Sequence, residues 1–182
     1  MTPAVFLDRD GVLVREIVDN AGVARAPLRV ADFHILEDAS ALVQRLHAAG
    51  LRCVVFTNQP EVARGLLPVQ ALEEMHHQLS QATLVDDIRV CPHDDSDNCV
   101  CRKPKPGMLL AAARDADIDL SRSYVVGDRW RDICAGRAVG CYSILIDRPY
   151  SRCDLADMRV TDLAGAVDVI VARHGATSNG LH

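Results

Sequence analysis

No run of apolar residues in this chain of 182 residues approaches the ~20 that a membrane-spanning helix needs. Met1 leads within a few residues into the strand-like AVFL, without the basic stretch or cleavage site of an export signal. Positive charge is not in excess: the formal net charge is −5, which argues against non-specific attachment to nucleic acid or an anionic bilayer. Aromatic residues are only 4% of the chain, and there is no basic aromatic groove of the kind that tracks single strands. Internal repeats and Pro/Ser-rich linkers are missing too. What remains is ordinary composition, 49% hydrophobic and 25% charged, of a length that fits about one domain at ~100–200 residues each. The expectation is a cytoplasmic monomer whose partner is a small molecule, with no nucleic acid and no membrane.

Seven cysteines, at positions 53, 91, 99, 101, 134, 141 and 153, are an odd number in a chain without an export signal, so a disulfide framework is not expected. Cys53, Cys134 and Cys141 fall in apolar periodic segments and read as small buried hydrophobes.

Short apolar runs, at 4–7, 53–56, 88–91, 124–127 and 142–146, alternate with helical patterns at 38–50, 68–81, 104–116 and 130–140. That alternation predicts an α/β fold, a Rossmann-like parallel sheet with helices on both faces. Asp38 and Pro68 stand where two helices open, Gly50 and Gly140 where two close. The polar, glycine-containing end, 174–182, reads as a frayed tail after a single domain over 1–173.

In such sheets the ligand crevice lies outside the carboxyl ends of the strands. The residues just past the predicted strands are DRDG at 8–11, TNQ at 57–59, CPH at 91–93 and DRWRD at 128–132, so the chemically capable side chains fall along one edge. Asp8 and Asp10 flank Arg9, with Gly11 allowing a tight exit. Like charges at ~4 Å repel by roughly 4 kcal/mol at an effective dielectric of 20, so this pair calls for a cation. Mg²⁺ takes few carboxylates and keeps several waters, and Asp128 could supply a further oxygen. An isolated DxDG is more often a solvated turn, a lone Thr57 a strand-end cap and a lone Lys103 a loop cation; Asp132 supports a site or lies on a wet helix face as readily as it binds metal.

Cys91, His93, Cys99 and Cys101 supply three thiolates and one imidazole, a closed tetrahedral set for structural Zn²⁺; redox-active or unligated thiols are the alternatives. The five residues between His93 and Cys99, DDSDN, show no other evident means of staying ordered.

Taken in order, FLDRDGVL, FTNQ, CRKPKPGM and VVGDRWRDI resemble the four motifs of the haloacid dehalogenase (HAD) superfamily of phosphohydrolases, over roughly residues 4–147. CPH with a later CxCRKP is similar to its small branch with a minimal cap, which holds the D-glycero-D-manno-heptose 1,7-bisphosphate phosphatases and the histidinol-phosphate phosphatases. The resemblance implies that Asp8 forms an aspartyl-phosphate, that Asp10 is acid and then base, that Thr57 holds the phosphoryl group, and that Lys103 neutralises it and holds Asp8. It implies a Mg²⁺ site from Asp8, the Asp10 carbonyl and Asp128, and a zinc-stapled loop that shapes the pocket for a small phosphorylated metabolite.

The substrate is less legible. The short zinc loop looks like the histidinol-phosphate branch, whereas RKPKPGM and 57-TNQPEVARG-65 look like the heptose enzymes. The expectation is removal of the C7 phosphate of a heptose bisphosphate, with histidinol phosphate or simpler sugar phosphates as the alternative. Asn58, Arg64 and Arg102 are the expected substrate contacts, and the long segment 12–33 carries Arg15, Arg25 and Arg29 as further candidates for a second phosphate. A phosphoacceptor receiver domain uses similar residues in another order: its phosphorylated Asp follows the acidic pair on a later strand, with Thr and then Lys after it, whereas here Thr57 and Lys103 precede Asp128. A zinc-binding interaction module leaves Asp8, Asp10 and Asp128 unaccounted for.

Overall fold

The computed structural model describes residues 1–19 and 23–179. Along the chain the elements are β1 (Ala4–Leu7), β2 (Ile17–Val18), β3 (Ala24–Arg25), α1 (Ala39–Ala48), β4 (Arg52–Asn58), α2 (Val69–Thr83), β5 (Asp87–Cys91), α3 (Gly107–Ala116), β6 (Tyr124–Gly127), α4 (Trp130–Arg137), β7 (Tyr142–Ile146), β8 (Met158–Val160) and α5 (Leu163–Asn179). Six strands form one parallel sheet in the order β5-β4-β1-β6-β7-β8. The remaining two, β2 and β3, make a short antiparallel hairpin, which is the minimal cap.

Both faces of the sheet are covered, which is why its central strands are continuously apolar rather than alternating. Val5, Leu7, Cys53, Val55, Val126 and Ile144 point into a core shared with α1, α2 and α5. Their neighbours Ala4, Phe6, Val54, Phe56 and Val125 point the other way, against Met108, Leu109 and Ala112 of α3 and Ala135 of α4. Each large side chain buried there stabilises the fold by about 1.5–3 kcal/mol, enough to hold the strand ends that carry the polar loops. Cys53 and Cys141 are buried in these cores and Cys134 is half-buried.

Gly50 and Gly140 follow α1 and α4 with φ of +81° each, the left-handed closure expected of them. Asp38 does precede α1, yet its carboxylate makes no capping bond; only its backbone carbonyl accepts, from Leu42 N. The helix that reads as starting at 104 begins at Gly107, after Pro104 and Pro106, and the one read to 140 ends at Arg137. α5 continues to Asn179, past the point where a tail was expected; 180–182 lie outside the described residues. Among the described residues no helix is long and apolar enough to cross a membrane.

Candidate active site

The loop after β1 approaches the end of β6 closely at a glycine, and a second glycine, the last residue of β6, makes room for the start of α4. Gly11 (φ +85°) lies where a Cβ would run into the Asp128 carboxylate, and a Cβ at Gly127 would collide with Asp132. The Asp8 amide bonds to the Val126 carbonyl at 2.9 Å, which pins the end of β1 to β6 and sets Asp8 beside Asp128.

Lys103 Nζ sits at the centre of the buried charges. It donates to Asp8 Oδ1 at 2.8 Å and to the Phe56 carbonyl at 2.9 Å, pairs with Asp132 Oδ1 at 2.6 Å, and lies 4.1 Å from the centroid of the Phe56 ring. Asp8, Asp128 and Asp132 bring carboxylate oxygens within 4.8 Å of one another, so three buried acids face one buried lysine. Asp132 is engaged on both sides, by Lys103 and by the Arg129 amide at 3.0 Å, which places it as a holder of Lys103. Asp128 Oδ1 is buried with no hydrogen-bond partner among the described residues. An orphaned carboxylate oxygen next to surplus negative charge fits a hard divalent cation, and Asp8 with Asp128 can hold Mg²⁺.

Burial, aided by Asp132 and Asp10 and opposed by Lys103, pushes the Asp8 carboxyl up to about 7; burial, Asp8 and Asp132 push Asp128 up to about 8. Burial acts to lower the Lys103 pKa, but Asp132 and Asp8 outweigh it and raise it. A carboxyl raised in the folded state contributes stability below its unfolded value that is lost as pH rises through the folded one. Metal-free protein is therefore expected to lose melting temperature as pH rises from about 4 to about 8, and the gain from added Mg²⁺ to grow over that range; scanning calorimetry with and without the ion checks it.

Residues that were not singled out from the sequence complete the surroundings. Arg9, fully buried, grips Asp10 with Nε at 3.0 Å and Nη2 at 2.9 Å, and its Nη1 lies 3.1 Å from His76 Nε2. Gln59 donates to Asp10 Oδ2 at 2.9 Å and to Thr57 Oγ1 at 2.8 Å. The Tyr150 hydroxyl bonds to Asp128 Oδ2 at 2.5 Å and to Glu16, so it ties the base of the hairpin to the β6 loop.

The Cys/His loop is compact. Cys91 Sγ lies 3.2 Å from Cys101 Sγ and 3.6 Å from Cys99 Sγ, and Cys101 Sγ lies 3.3 Å from His93 Nδ1. Zn–S bonds of ~2.3 Å in a tetrahedron put sulfurs ~3.8 Å apart, so this set needs only slight expansion to hold Zn²⁺. The DDSDN segment also has means of its own to stay ordered. Asp94 and Asp97 cap a 3-10 turn reciprocally, Arg64 forks onto Asp94 with two bonds of 2.7 Å, and Arg102 reaches Asp95 at 2.6 Å. Asn58 clasps the Lys103 backbone, accepting from its amide at 3.0 Å and donating to its carbonyl at 3.2 Å. All three expected substrate contacts line the cavity, but each has protein partners.

That cavity, of about 390 Å³, has Asp8, Asp10, Thr57 and Lys103 on its floor. Val23, Leu28, Leu66, Arg129 and Arg131 also line it.

A family model described as HAD-hydrolase-like matches residues 100–166. With the parallel sheet and the lysine-bound acid at the end of β1, the class is a HAD-like phosphatase. The D-glycero-D-manno-heptose-1,7-bisphosphate 7-phosphatase of Thermosynechococcus vestitus is 36% identical over 92% of this chain and 95% of its own length. The D-glycero-beta-D-manno-heptose-1,7-bisphosphate 7-phosphatase of Pseudomonas aeruginosa is 37% identical over 78% of this chain and 79% of its own. The crystal structure of D,D-heptose 1,7-bisphosphate phosphatase from Bordetella bronchiseptica, complexed with magnesium and phosphate, matches with a TM-score of 0.76 and 30% identity over 94% of this chain and 99% of that one. This chain belongs to the heptose-bisphosphate phosphatase family of HAD-like hydrolases.

Proposed function

We propose that this phosphatase removes the C7 phosphate of D-glycero-D-manno-heptose 1,7-bisphosphate, acting as a single-domain monomer in the cytoplasm. The observation that supports the substrate most is the 36% identity to the Thermosynechococcus vestitus enzyme over 92% of this chain and 95% of that one. The free thiols suit a reducing compartment.

In this reading Asp8 is the nucleophile. Both hydrogen bonds described for its carboxylate fall on Oδ1, from Arg9 N and Lys103 Nζ at 2.8 Å each, which leaves Oδ2 to attack phosphorus. The P–O bond to the sugar breaks as the new bond to Asp8 forms, and the leaving oxygen takes a proton from Asp10. Asp10 then removes a proton from water, the water oxygen attacks phosphorus, and the bond to Asp8 breaks to release phosphate. Arg9 and Gln59 fix the direction in which the Asp10 carboxyl points. The Thr57 hydroxyl accepts from Gln59, so its own proton is left to donate to a phosphoryl oxygen. Lys103 offsets charge on the same group, and Asn58 acts through Lys103 by fixing its backbone. Asp8, Asp128 and the Asp10 carbonyl would hold Mg²⁺, which would supply further neutralisation of charge on the phosphate.

The test is phosphate release from both anomers of the heptose bisphosphate, histidinol phosphate and simpler sugar phosphates. A heptose bisphosphate is expected to give the highest kcat/KM. Equal or better turnover of histidinol phosphate would sink the assignment and favour the other branch, which the short zinc loop resembles.

A further inference from the structure

The loop that follows β7 carries none of the strand-end motifs, yet three of its side chains reach the acid end of the cavity. Arg148 donates Nη2 to the Gly11 carbonyl at 3.1 Å. The Ser151 hydroxyl donates to the Asp128 carbonyl at 2.5 Å. Between these two, the Tyr150 hydroxyl stands against two carboxylates, Asp128 Oδ2 at 2.5 Å and Glu16 Oε2. Both of those oxygens crowd the place that a Cβ on Gly11 would take, so the two acids and the phenol converge on the bare face of the glycine after β1.

Tyr150 is not among the residues that line the cavity; it stands behind Asp128 and acts through it. Asp128 Oδ1 is buried without a hydrogen-bond partner among the described residues, whereas Oδ2 is held by Tyr150. That hold fixes the turn of the carboxylate about its Cβ–Cγ bond, and with it the place of the oxygen left for a cation. The other half of the contact concerns the cap. Glu16 immediately precedes β2, and Ala24 opens β3, where its carbonyl accepts from Arg129 Nη2 at 3.3 Å. The Arg129 guanidinium in turn covers the Tyr150 ring, 4.7 Å from its centroid. Tyr150 and the arginine stacked on it therefore reach both strands of the hairpin. None of the four residues in those strands is buried, and a two-stranded hairpin without an apolar face does not fix its own position.

We propose that Tyr150 is a positioning residue for the Mg²⁺ site: it turns the Asp128 carboxylate toward the ion and, through Glu16, couples occupancy of that site to the placement of the cap hairpin. The proposal rests on the reading of Asp128 as a Mg²⁺ ligand. It is tested on zinc-loaded protein freed of Mg²⁺, by titration calorimetry with Mg²⁺, by turnover across a Mg²⁺ series, and by amide hydrogen exchange in β2 and β3 with and without the ion. Tyr150→Phe keeps the ring under Arg129, and thermal melting without Mg²⁺ checks that the fold is kept. In this variant the Kd for Mg²⁺ rises by about 10–100-fold, the usual cost of losing a group that orients a metal ligand, and high Mg²⁺ restores most of the turnover. Glu16→Gln, which can still bond to the phenol, weakens Mg²⁺ binding less. Added Mg²⁺ slows exchange in the wild-type hairpin and leaves it unaltered in Tyr150→Phe, because coupling between two sites is lost from both when their link is cut. Unaltered Mg²⁺ affinity in Tyr150→Phe, or a loss of turnover that no Mg²⁺ concentration restores, would overturn the positioning role. Hairpin exchange that ignores Mg²⁺ in the wild type would overturn the coupling. Asp128→Asn separates the two readings: wild-type Mg²⁺ affinity there would overturn Asp128 as a ligand, whereas loss of the ion there and not in Tyr150→Phe would overturn the role of Tyr150 alone.

Discussion

Asp8→Asn is expected to lower phosphate release by about 10⁴–10⁶-fold, the scale on which loss of a covalent nucleophile is felt in other hydrolases. The amide oxygen can still accept from Lys103 and the Arg9 amide, so the geometry around Oδ1 survives. What is lost is the nucleophile. The fold is expected to hold, for a reason of sign. With its pKa at about 7, raised first by burial and then by Asp132 and Asp10, ionised Asp8 destabilises metal-free protein at pH 8. Asparagine removes that charge, so the metal-free melting temperature at pH 8 stays level or rises, while the gain on adding Mg²⁺ shrinks. Residual activity above a few per cent, measured on folded variant, would mean that another group attacks phosphorus.

Cys101→Ser is expected to abolish stoichiometric zinc, lower the melting temperature by on the order of 10 °C and cut turnover by about 10²–10³. The thermal figure follows from ~2–4 °C per kcal/mol for a chain of this size, applied to the several kcal/mol that an undone structural metal removes. The kinetic figure follows from Lys103, which stands two residues after Cys101 and contacts Asp8. Without the metal, the loop keeps its Arg64–Asp94 and Arg102–Asp95 pairs, in which the acids are solvent-exposed or partly so. Exposed ion pairs are worth roughly 0–1 kcal/mol each, too little to replace four metal bonds. Metal analysis by plasma mass spectrometry, calorimetry and turnover on the same preparation check all three effects. A zinc-free variant with wild-type turnover would show that the two ion pairs suffice to hold Lys103.

The fold was legible wherever a strand is buried on both faces. β1, β6 and β7 occupy the residues of their apolar runs because no charged residue interrupts them. β8 is an edge strand with Met158 and Arg159 exposed, so it has no such run. α5 is rich in valine and isoleucine, residues with a weak helical bias. Its helical signal lay in spacing: Leu163, Ala166, Val167 and Ile170 are buried at intervals of a helical turn.

In the site, residues just past the strand ends could be found in the sequence because topology alone sends them to one edge. The supporting residues could not. Arg9 between two acids carries no sequence signal of burial, yet it is buried against Asp10, His76 and the Phe33 ring. Tyr150 lies beyond β7, in a loop with no motif, and meets Asp128 only in three dimensions. Asp132 had one readable signal: three positions after Arg129 at the opening of α4, it accepts the Arg129 amide as a helix-capping acid does. Arg64 and Arg102 also pair with acids of the same polar segment that was read as lacking support, a partnership with no signal in the sequence.

The cleft rim is joined mainly by polar contacts: Arg129 to Ala24, Arg64 to Asp94, Tyr150 to Glu16. The apolar cores lie beneath it, between the sheet and its helices. Rim residues can therefore be exchanged at small cost in stability, while the acids and the lysine below them remain anchored to the strands. Such a division makes the molecule readily evolvable: a lineage can wander among phosphate esters by redrawing its hairpin and the rest of its rim, and keep one inherited reaction throughout.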